Sequence, residues 1–445
     1  LADVLLPATG WAEKDGTVTN SERRVSRQRR ALAAPGQARD DWRIMADVAK
    51  RMGWADAFDW TGPAQIFAEH AALSGVAGGL GSDFDISDYR ETTAPEYDRM
   101  EPFLWPQSPS RQGGRFFGDG LFQTPSGRGR MVPIFPANRR PIDIAAPFTL
   151  NTGRVRDHWH SMTRTGRAAR LSRHIAEPFL ELHPRDAERL GLAPAGLAQV
   201  ENEHGRAILR VLITDRAAPG HPFAPIHWTG ETSSAGRVSS LVPGLTDPIS
   251  GQPALKSAAV NISAFRAGCY GFAVSKSEIN AAGDYLAIAK LPKGHQAELA
   301  WKEPPRDWIE EAAKLFGLDT TPMIMRDRHH GTVRLAFLQD GRLQAALFVS
   351  PGPVALSRSH IAEALDSDQT ADILAGRPGG DRQDEGAVVC ACLGIGANRI
   401  ARFIATRKTA TLNEIGAALG AGTNCGSCRP ELKRMLARTA GAVDR

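Results

Sequence analysis

The stretch NTGRVRDHWHSMTRTGR, Asn151–Arg167, decides how this chain is to be read. It follows the apolar run FTL and sets Thr152 and Gly153 beside arginines, histidines and a tryptophan. Extended to His174, the segment carries six arginines and three histidines against one acid, Asp157. The planar fork of arginine binds phosphate oxygens in pairs, and an indole offers a face for stacking. Such a mixture suits a phosphorylated aromatic ligand, with backbone amides and arginines for phosphate and polar side chains for a heterocycle edge. The plainer reading is a solvated charged face with structural histidines at the rim of a barrel.

Working outward, short apolar runs recur around this segment: PFLELH, LAQVEN, AILRVLIT, PFAPIHW and SAAVNIS. Gly, Pro and polar turns separate them, which predicts a β-barrel or sandwich over 146–265. HPRDAERLGL interrupts the runs as a short helix, opened by Pro184 and stopped by Gly191. Upstream, 1–145 reads as the end of an α/β unit. LADVLLPATG is a strand, a polar loop follows, and DDWRIMADVAKRMGW is a helix with Trp42, Met45, Val48 and Ala49 at helical spacing. The loop holds a second basic stretch, ERRVSRQRR, with five arginines between Glu22 and Arg30. Residues 75–145, with GVAGGLGSD and several prolines, read as connecting loops. The chain opens on Leu1 in a strand already under way, so it is expected to be the C-terminal part of something longer.

Downstream, 266–380 is an α+β region whose clearest signal is TVRLAFLQDGRLQAALFV, two strands around a type I′ turn at Asp340-Gly341. RPGGDRQDEG reads as a flexible polar linker into a compact module, 386–445. In that module Ile400, Phe403 and Ile404 fall at helical spacing. Thr411 and Glu414 make a capping box for a helix closed by Gly420. Pro430 opens a last helix with Leu432, Met435 and Leu436 down one side.

Four of the five cysteines lie in this module as two close pairs, Cys390 with Cys392 and Cys425 with Cys428. About sixty residues bury too little apolar surface for comfortable stability, so a metal at the loops is a useful staple. Four thiolates suit tetrahedral zinc or a 2Fe-2S cluster whose irons each take two sulfurs, and spacing alone separates neither. Cys-x-Cys and the glycines of CLGIG and CGSC lean toward the cluster, because backbone amides there approach the sulfurs. The fifth, Cys269, reads as an ordinary buried or free thiol.

At 445 residues, 42% hydrophobic and 23% charged, with a formal charge of +5, the composition is that of a multidomain globular protein. No apolar run reaches the roughly 18 to 20 residues of a bilayer span, and no signal peptide is recognisable. Few cysteines in a long chain point to metal binding or catalysis in a reducing, cytoplasmic setting. No spacing of a nucleic-acid-binding motif and no interleaving of aromatic and basic residues is present.

The pattern CAC, two short helices and LGAGTNCGSC resembles the bacterioferritin-associated ferredoxin-like 2Fe-2S domain, which implies Cys390, Cys392, Cys425 and Cys428 as its ligands. ADVLLPATGWAEKDGTVTNSERRV, DGLFQTPSGRGRMVP, LNTGRVRDHWHSMTRTGR and TDPISGQPALKSAAVNI together resemble the molybdopterin oxidoreductases of the dimethyl-sulfoxide-reductase class, and within it the assimilatory nitrate reductase catalytic subunits. The resemblance implies an α/β tail of the molybdopterin oxidoreductase domain, a double-psi β-barrel, a small α+β region and a small all-α 2Fe-2S domain. It implies molybdenum held by two molybdopterin guanine dinucleotides, contacted by Lys14, Asp41, Thr152, Gly153, Arg154, Val155, Arg156, Asp157, His158, Trp159, His160, Ser161, Trp228, Ser239 and Lys256. Ser239 and Pro243 depart from the asparagines common in that loop. The 4Fe-4S cluster and the molybdenum ligand of the class belong to an N-terminal region that these residues do not supply, so this chain alone is expected to be inactive.

The activity implied is reduction of nitrate to nitrite in nitrate assimilation. Electrons would enter through the 2Fe-2S cluster from a flavoprotein or NADH-dependent reductase subunit, a ferredoxin or a flavodoxin, with neither nucleic acid nor membrane as partner. A related enzyme such as a formate dehydrogenase is the alternative. A zinc-containing basic binding protein is the alternative of another class.

Overall fold

The computed structural model describes residues 2–133, 146–368, 372–379, 383–407 and 410–443. The chain divides into two compact units, Leu1–Asn138 and Arg139–Arg445. In the first, β1 (Gly16–Thr19) and β2 (Arg24–Gln28) form an antiparallel hairpin, and the strand β3 (Phe103–Leu104) extends its edge. The helices are α1 (Asp41–Arg51), α2 (Pro63–Gly79) and α3 (Ala94–Arg99), and β4 (Gln107–Ser108) pairs with β5 (Arg111–Gln112). Val25, Phe67, Ala71, Ile86 and Tyr97 form the core of this unit.

Two expectations fail here. The opening apolar run is not a strand: Val4, Leu5 and Leu6 are exposed, and only an isolated bridge joins Ala8 to Arg39. Apolar residues make a strand only where a neighbouring strand accepts their backbone groups. The supposed loop, GVAGGLGSD, is instead helical through Gly79. A Cβ on Gly75 would meet the Ser87 Cβ at 2.7 Å, so this glycine serves close packing rather than flexibility. The helix α1 forms as expected, but Ala46 and Ala49 are its buried residues while Met45 and Val48 are exposed.

The second unit begins with a closed six-stranded barrel in the order β10-β6-β11-β8-β9-β7. Its strands are β6 (Phe148–Gly153), β7 (Phe179–Leu182), β8 (Leu197–Asn202), β9 (Gly205–Ile213), β10 (Phe223–Pro225) and β11 (Ala258–Ala264). The β6–β10 and β7–β9 pairs are parallel, and the others are antiparallel. Alternate side chains, among them Phe148, Leu150, Leu180, Leu182, Val200 and Leu209, fill the interior. A short helix, α4 (Ala169–Ser172), follows the Asn151–Arg167 loop, and α5 (Pro184–Arg189) ends before Gly191, whose φ is +64°.

The 266–380 region is a six-stranded antiparallel sheet in the order β13-β14-β12-β17-β16-β15. Its strands are β12 (Cys269–Ser275), β13 (Tyr285–Leu291), β14 (Gly294–Trp301), β15 (Met323–Asp327), β16 (Thr332–Gln339) and β17 (Arg342–Ser350). One face packs on α6 (Trp308–Phe316) and the other on α7 (Arg358–Ala364). On β17, Ala345, Leu347 and Val349 join one core while Leu343, Ala346 and Phe348 join the other. The strand is therefore apolar on both sides and reads as a continuous run. Asp340 and Gly341 turn the hairpin with φ of +51° and +73°, as a type I′ turn requires.

The last module holds α8 (Ala397–Ala405), α9 (Leu412–Leu419) and α10 (Arg429–Val443). The capping box on α9 is present, with the Glu414 backbone N–H donating to Thr411 Oγ1 at 3.3 Å and Thr411 N–H to the Glu414 carboxylate at 2.8 Å. The module is not wholly helical: β18 (Val388–Cys390) pairs with β19 (Ile395–Gly396), and this small ladder folds the Cys-x-Cys turn back on itself. A Cβ on Gly396 would lie 2.0 Å from the Glu385 carbonyl oxygen, so only glycine admits that approach.

Candidate functional site

In the barrel, the β6–β10 parallel pair delivers Thr152 and Gly153 to the strand end, opposite Ala224 and Pro225. Lys256 reaches across from the loop before β11, and its ammonium donates to the Thr152 carbonyl. A Cβ on Gly153 would meet the Phe223 ring at 2.9 Å, so the glycine keeps this end narrow. Beyond it the chain turns sharply, with positive φ at Asp157, His160 and Met162. Such conformations cost of order 1 kcal/mol or more each for residues with a Cβ, and persist where surrounding contacts fix them.

Those contacts come from a residue the sequence reading passed over, His227 of the PIHW run. It is fully buried; its Nε2 accepts from the Val155 backbone N–H at 3.0 Å, and its Nδ1 lies 2.7 Å from the His160 carbonyl. With the proton on Nδ1, one imidazole thus ties both ends of the loop. Burial pushes the His227 pKa down, which favours this neutral form. His158 is buried too, bonds the Ile175 carbonyl at 2.8 Å through Nε2, and stands edge-on to the buried Trp228 with centroids 5.3 Å apart. Its Nδ1 is buried without a partner, and burial also lowers its pKa. The signal for His227 was its place beside Trp228.

The outer side of the loop is different. Arg154 stacks over Trp159 at 5.1 Å, and both are exposed, as are His160, Ser161 and Lys256. Exposed cations beside an exposed indole and a glycine-lined strand end fit a dinucleotide, whose phosphates take the charges and whose base takes the ring. Arg156 and Asp157 point elsewhere. The Arg156 guanidinium bonds the Val389 carbonyl and Glu431 of the cysteine module, each at 2.7 Å, and His174 Nε2 at 2.6 Å. Asp157 Oδ2 lies 3.0 Å from His174 Nδ1 and 3.4 Å from Arg156, near enough for charge attraction but without hydrogen-bond alignment. Burial lowers the pKa of His174, but the Asp157 and Glu431 carboxylates outweigh it and the net shift is upward. Ser239 is exposed on a 3₁₀ turn, Val238–Leu241, that caps the start of β9. In the first unit Lys14 and Asp41 meet as an ion pair at 3.0 Å.

The cysteine pairs converge. Cys390 and Cys392 sulfurs are 3.7 Å apart, Cys392 and Cys425 are 3.6 Å apart, and the Cys428 thiol adjoins Cys390. The sulfurs run as a chain, and among the described residues no group of three or more such ligands is arranged around a single ion. Cys390 and Cys428 are buried in the module core with Ile400, Ile415 and Leu432. The Cys428 carbonyl accepts from the N–H groups of Glu431 and Leu432, so this cysteine sits at the N-terminal end of α10. Burial, with the neighbouring Cys390, pushes the Cys428 thiol up to about 11. Four soft sulfur donors drawn together, two in the core, Cys392 partly buried and Cys425 exposed, fit an iron-sulfur cluster, whose binding deprotonates such thiols. Cys269 lies apart, buried in β12, its thiol pushed up to about 11 by burial.

Barrel and sheet are joined by a buried ion network that sequence reading did not foresee. Arg210 bonds Glu177 through Nε at 3.0 Å and approaches Glu298 at 3.4 Å, Arg358 holds Glu298 from the far side, and Tyr285 donates to Glu177 at 2.8 Å. These residues come from runs far apart in the chain, so no local pattern announces them.

Residues 1–51 match the molybdopterin oxidoreductase family, 148–259 the molydopterin dinucleotide binding domain, and 388–438 the BFD-like [2Fe-2S] binding domain. The chain is 36% identical to a nitrate reductase of Klebsiella oxytoca over 98% of its own length and 50% of the relative's. It is 30% identical to an assimilatory nitrate reductase catalytic subunit of Bacillus subtilis over 59% of the chain and 36% of the relative. An F420-dependent formate dehydrogenase subunit alpha of Methanocaldococcus jannaschii is 35% identical over 51% of the chain and 32% of that protein. The chain thus spans about half the length, or less, of these curated relatives. Its parts thus match, in order along the chain, the molybdopterin oxidoreductase family, the molydopterin dinucleotide binding domain and the BFD-like [2Fe-2S] binding domain.

Proposed function

We propose that the protein containing this chain reduces nitrate to nitrite in nitrate assimilation, with electrons entering through the C-terminal cluster. The observation that carries this reading is the 36% identity to a nitrate reductase along 98% of the chain, cysteine module included. Molybdenum held by two molybdopterin guanine dinucleotides supplies two-electron oxygen-atom transfer when bound.

In this reading the chain's residues hold, orient and shield. Lys256, Arg154 and the backbone of Thr152 to Ser161 take the phosphates of one dinucleotide, Trp159 offers a stacking face, and Trp228 with His158 closes the loop from beneath. Lys14 and Asp41 are assigned to cofactor contact in the first unit, and Ser239 to the rim of the barrel. Exposed arginines of the loop raise the local concentration of an anionic substrate. Cys390, Cys392, Cys425 and Cys428 ligate the 2Fe-2S cluster. The domains fall at 1–145, 146–265, 266–380 and 386–445, the second in double-psi topology. The donor is a flavoprotein or NADH-dependent subunit, a ferredoxin or a flavodoxin. Five cysteines, all unpaired, support a cytoplasmic setting, and among the described residues no helix is long and apolar enough to cross a membrane.

Formate oxidation is the second reading, favoured by the 35% identity to a formate dehydrogenase subunit, which covers only 51% of the chain. Assaying the whole protein with nitrate and a reduced dye, and separately with formate and an oxidised dye, tests both. Nitrate turnover with bound molybdenum, iron and acid-labile sulfide is the expected result; formate turnover alone overturns the proposal.

A further inference from the structure

The basic loop that fits the dinucleotide on its outer side also reaches the cysteine module on its inner side, and it does so through one residue. Arg156 Nη2 donates to the carbonyl of Val389, the residue before Cys390, and to Glu431, in the first turn of the helix that begins after Cys428. Both cysteine-bearing segments are therefore tied to the barrel by this guanidinium, and His174 Nε2 adds a contact to Glu431 at 3.5 Å. The contacts with Val389, Glu431 and His174 all fall on Nη2, while Nη1 lies 3.4 Å from Asp157 without a hydrogen bond. His174 Nε2 lies 2.6 Å from Arg156, and Asp157 lies beside both. A second tie lies nearby, where Ser357 Oγ donates to Asp384 at 3.0 Å, just ahead of the module. The module is thus held against the barrel and sheet, not left free on its polar linker, part of which lies outside the described residues.

We propose that Arg156 is a positioning residue for the cluster, fixing the module against the dinucleotide-binding loop and setting the cluster's reduction potential by its charge. The inference rests on the reading of the four cysteines as cluster ligands. Reduction adds negative charge to the cluster, so a nearby cation favours the reduced form and a nearby carboxylate opposes it. Loss of Arg156 removes the cation and leaves Glu431 and Asp157 with only His174 beside them, which moves the potential down. Loss of the Glu431 charge moves it up. Opposite signs from two partners of one contact are not the mark of general loosening.

The test uses the whole protein with its upstream region. Potentials of the 2Fe-2S signal are measured by redox titration followed by electron paramagnetic resonance, and amide hydrogen exchange is followed over 388–396 and 429–433. Expected for R156A is a lower potential together with exchange about tenfold faster in both segments, the scale of one lost charge-assisted hydrogen bond. E431Q is expected to raise the potential, and R156K to restore the charge effect without slowing exchange fully. An R156A protein with unchanged exchange overturns the fastening, and R156A and E431Q potentials that move together overturn the charge effect. A wild-type protein with no 2Fe-2S signal refutes the cluster reading instead, and the exchange comparison still decides the fastening.

Discussion

In the barrel, Leu150, Leu180, Leu182 and Leu209 are sealed by strands that hydrogen-bond in a closed ring. In the C-terminal module the buried centre includes two of the cysteines, Cys390 and Cys428, among a few isoleucines and Leu432. The barrel's interior is apolar, and its strands pair with one another in a closed ring. The module has three helices and a minimal ladder, and its core includes thiols of the proposed cluster ligands. On the proposed reading, one region holds its ligand on the outside of a finished structure, and the other is finished by its ligand.

The most severe way to break this contrast is to remove a cluster ligand. In the whole protein, C390S or treatment with an iron chelator is expected to abolish the cluster's visible absorption and make 386–443 sensitive to protease while 146–264 stays resistant. A module that stays protected without iron would show that its helices suffice. Next is L180A in the barrel, expected to cost about 2 to 5 kcal/mol in denaturant unfolding of that domain while leaving the cluster spectrum unchanged. A changed spectrum would mean that the two cores are energetically one. Third, K256A is expected to lower retention of the dinucleotide roughly tenfold, as loss of a charge-assisted contact does, without altering barrel stability. Unchanged molybdopterin content in the purified protein would remove Lys256 from the binding set.

A smaller effect separates the two faces of the basic loop by pH. His158 has a folded pKa below its usual 6.5, through burial and the nearby charges of His227 and His174, which outweigh Asp157 and the Ile175 carbonyl. The unfolded chain therefore takes its proton first, and this residue's contribution is present above about pH 6.5 and lost as pH falls from there to the folded value. His174, facing Asp157, Glu431 and Arg156, has a raised pKa. Its contribution is present below pH 6.5 and lost as pH rises through the folded value. H158Q and H174Q should therefore flatten opposite limbs of the stability profile measured by denaturant titration. The least effect is expected from K14A: its pair with Asp41 is exposed, so stability should change by no more than about 0.5 kcal/mol, and any loss of molybdopterin would then report contact with the cofactor.

The sequence made most of this legible where the signal is local. Alternating short runs announced the barrel strands, Asp340-Gly341 announced its hairpin, Thr411 with Glu414 announced the start of α9, and paired cysteines announced the candidate metal site. It misled where a local signal has two physical causes. The glycines of GVAGGLGSD looked like a loop because flexibility and close packing use the same residue, and the contact with Ser87 that decides between them is twelve positions away. The opening LADVLL has strand composition but no strand beside it, and pairing is not a property of a single run.

By itself, the chain's order of residues determined the elements and the chemistry of the two candidate sites, since turns, caps, hydrophobic periods and thiol spacing act over a few residues. Only the tertiary structure decided which side chains share a contact. His227 became the clasp of the basic loop, and Arg210 became the link between Glu177 and Glu298. Arg156 turned from the dinucleotide face toward the cluster-binding module, 233 residues from Val389 along the chain. The reason is that a buried charge or imidazole is placed by the partners that satisfy it, and those partners are brought together only when the strands and helices pack.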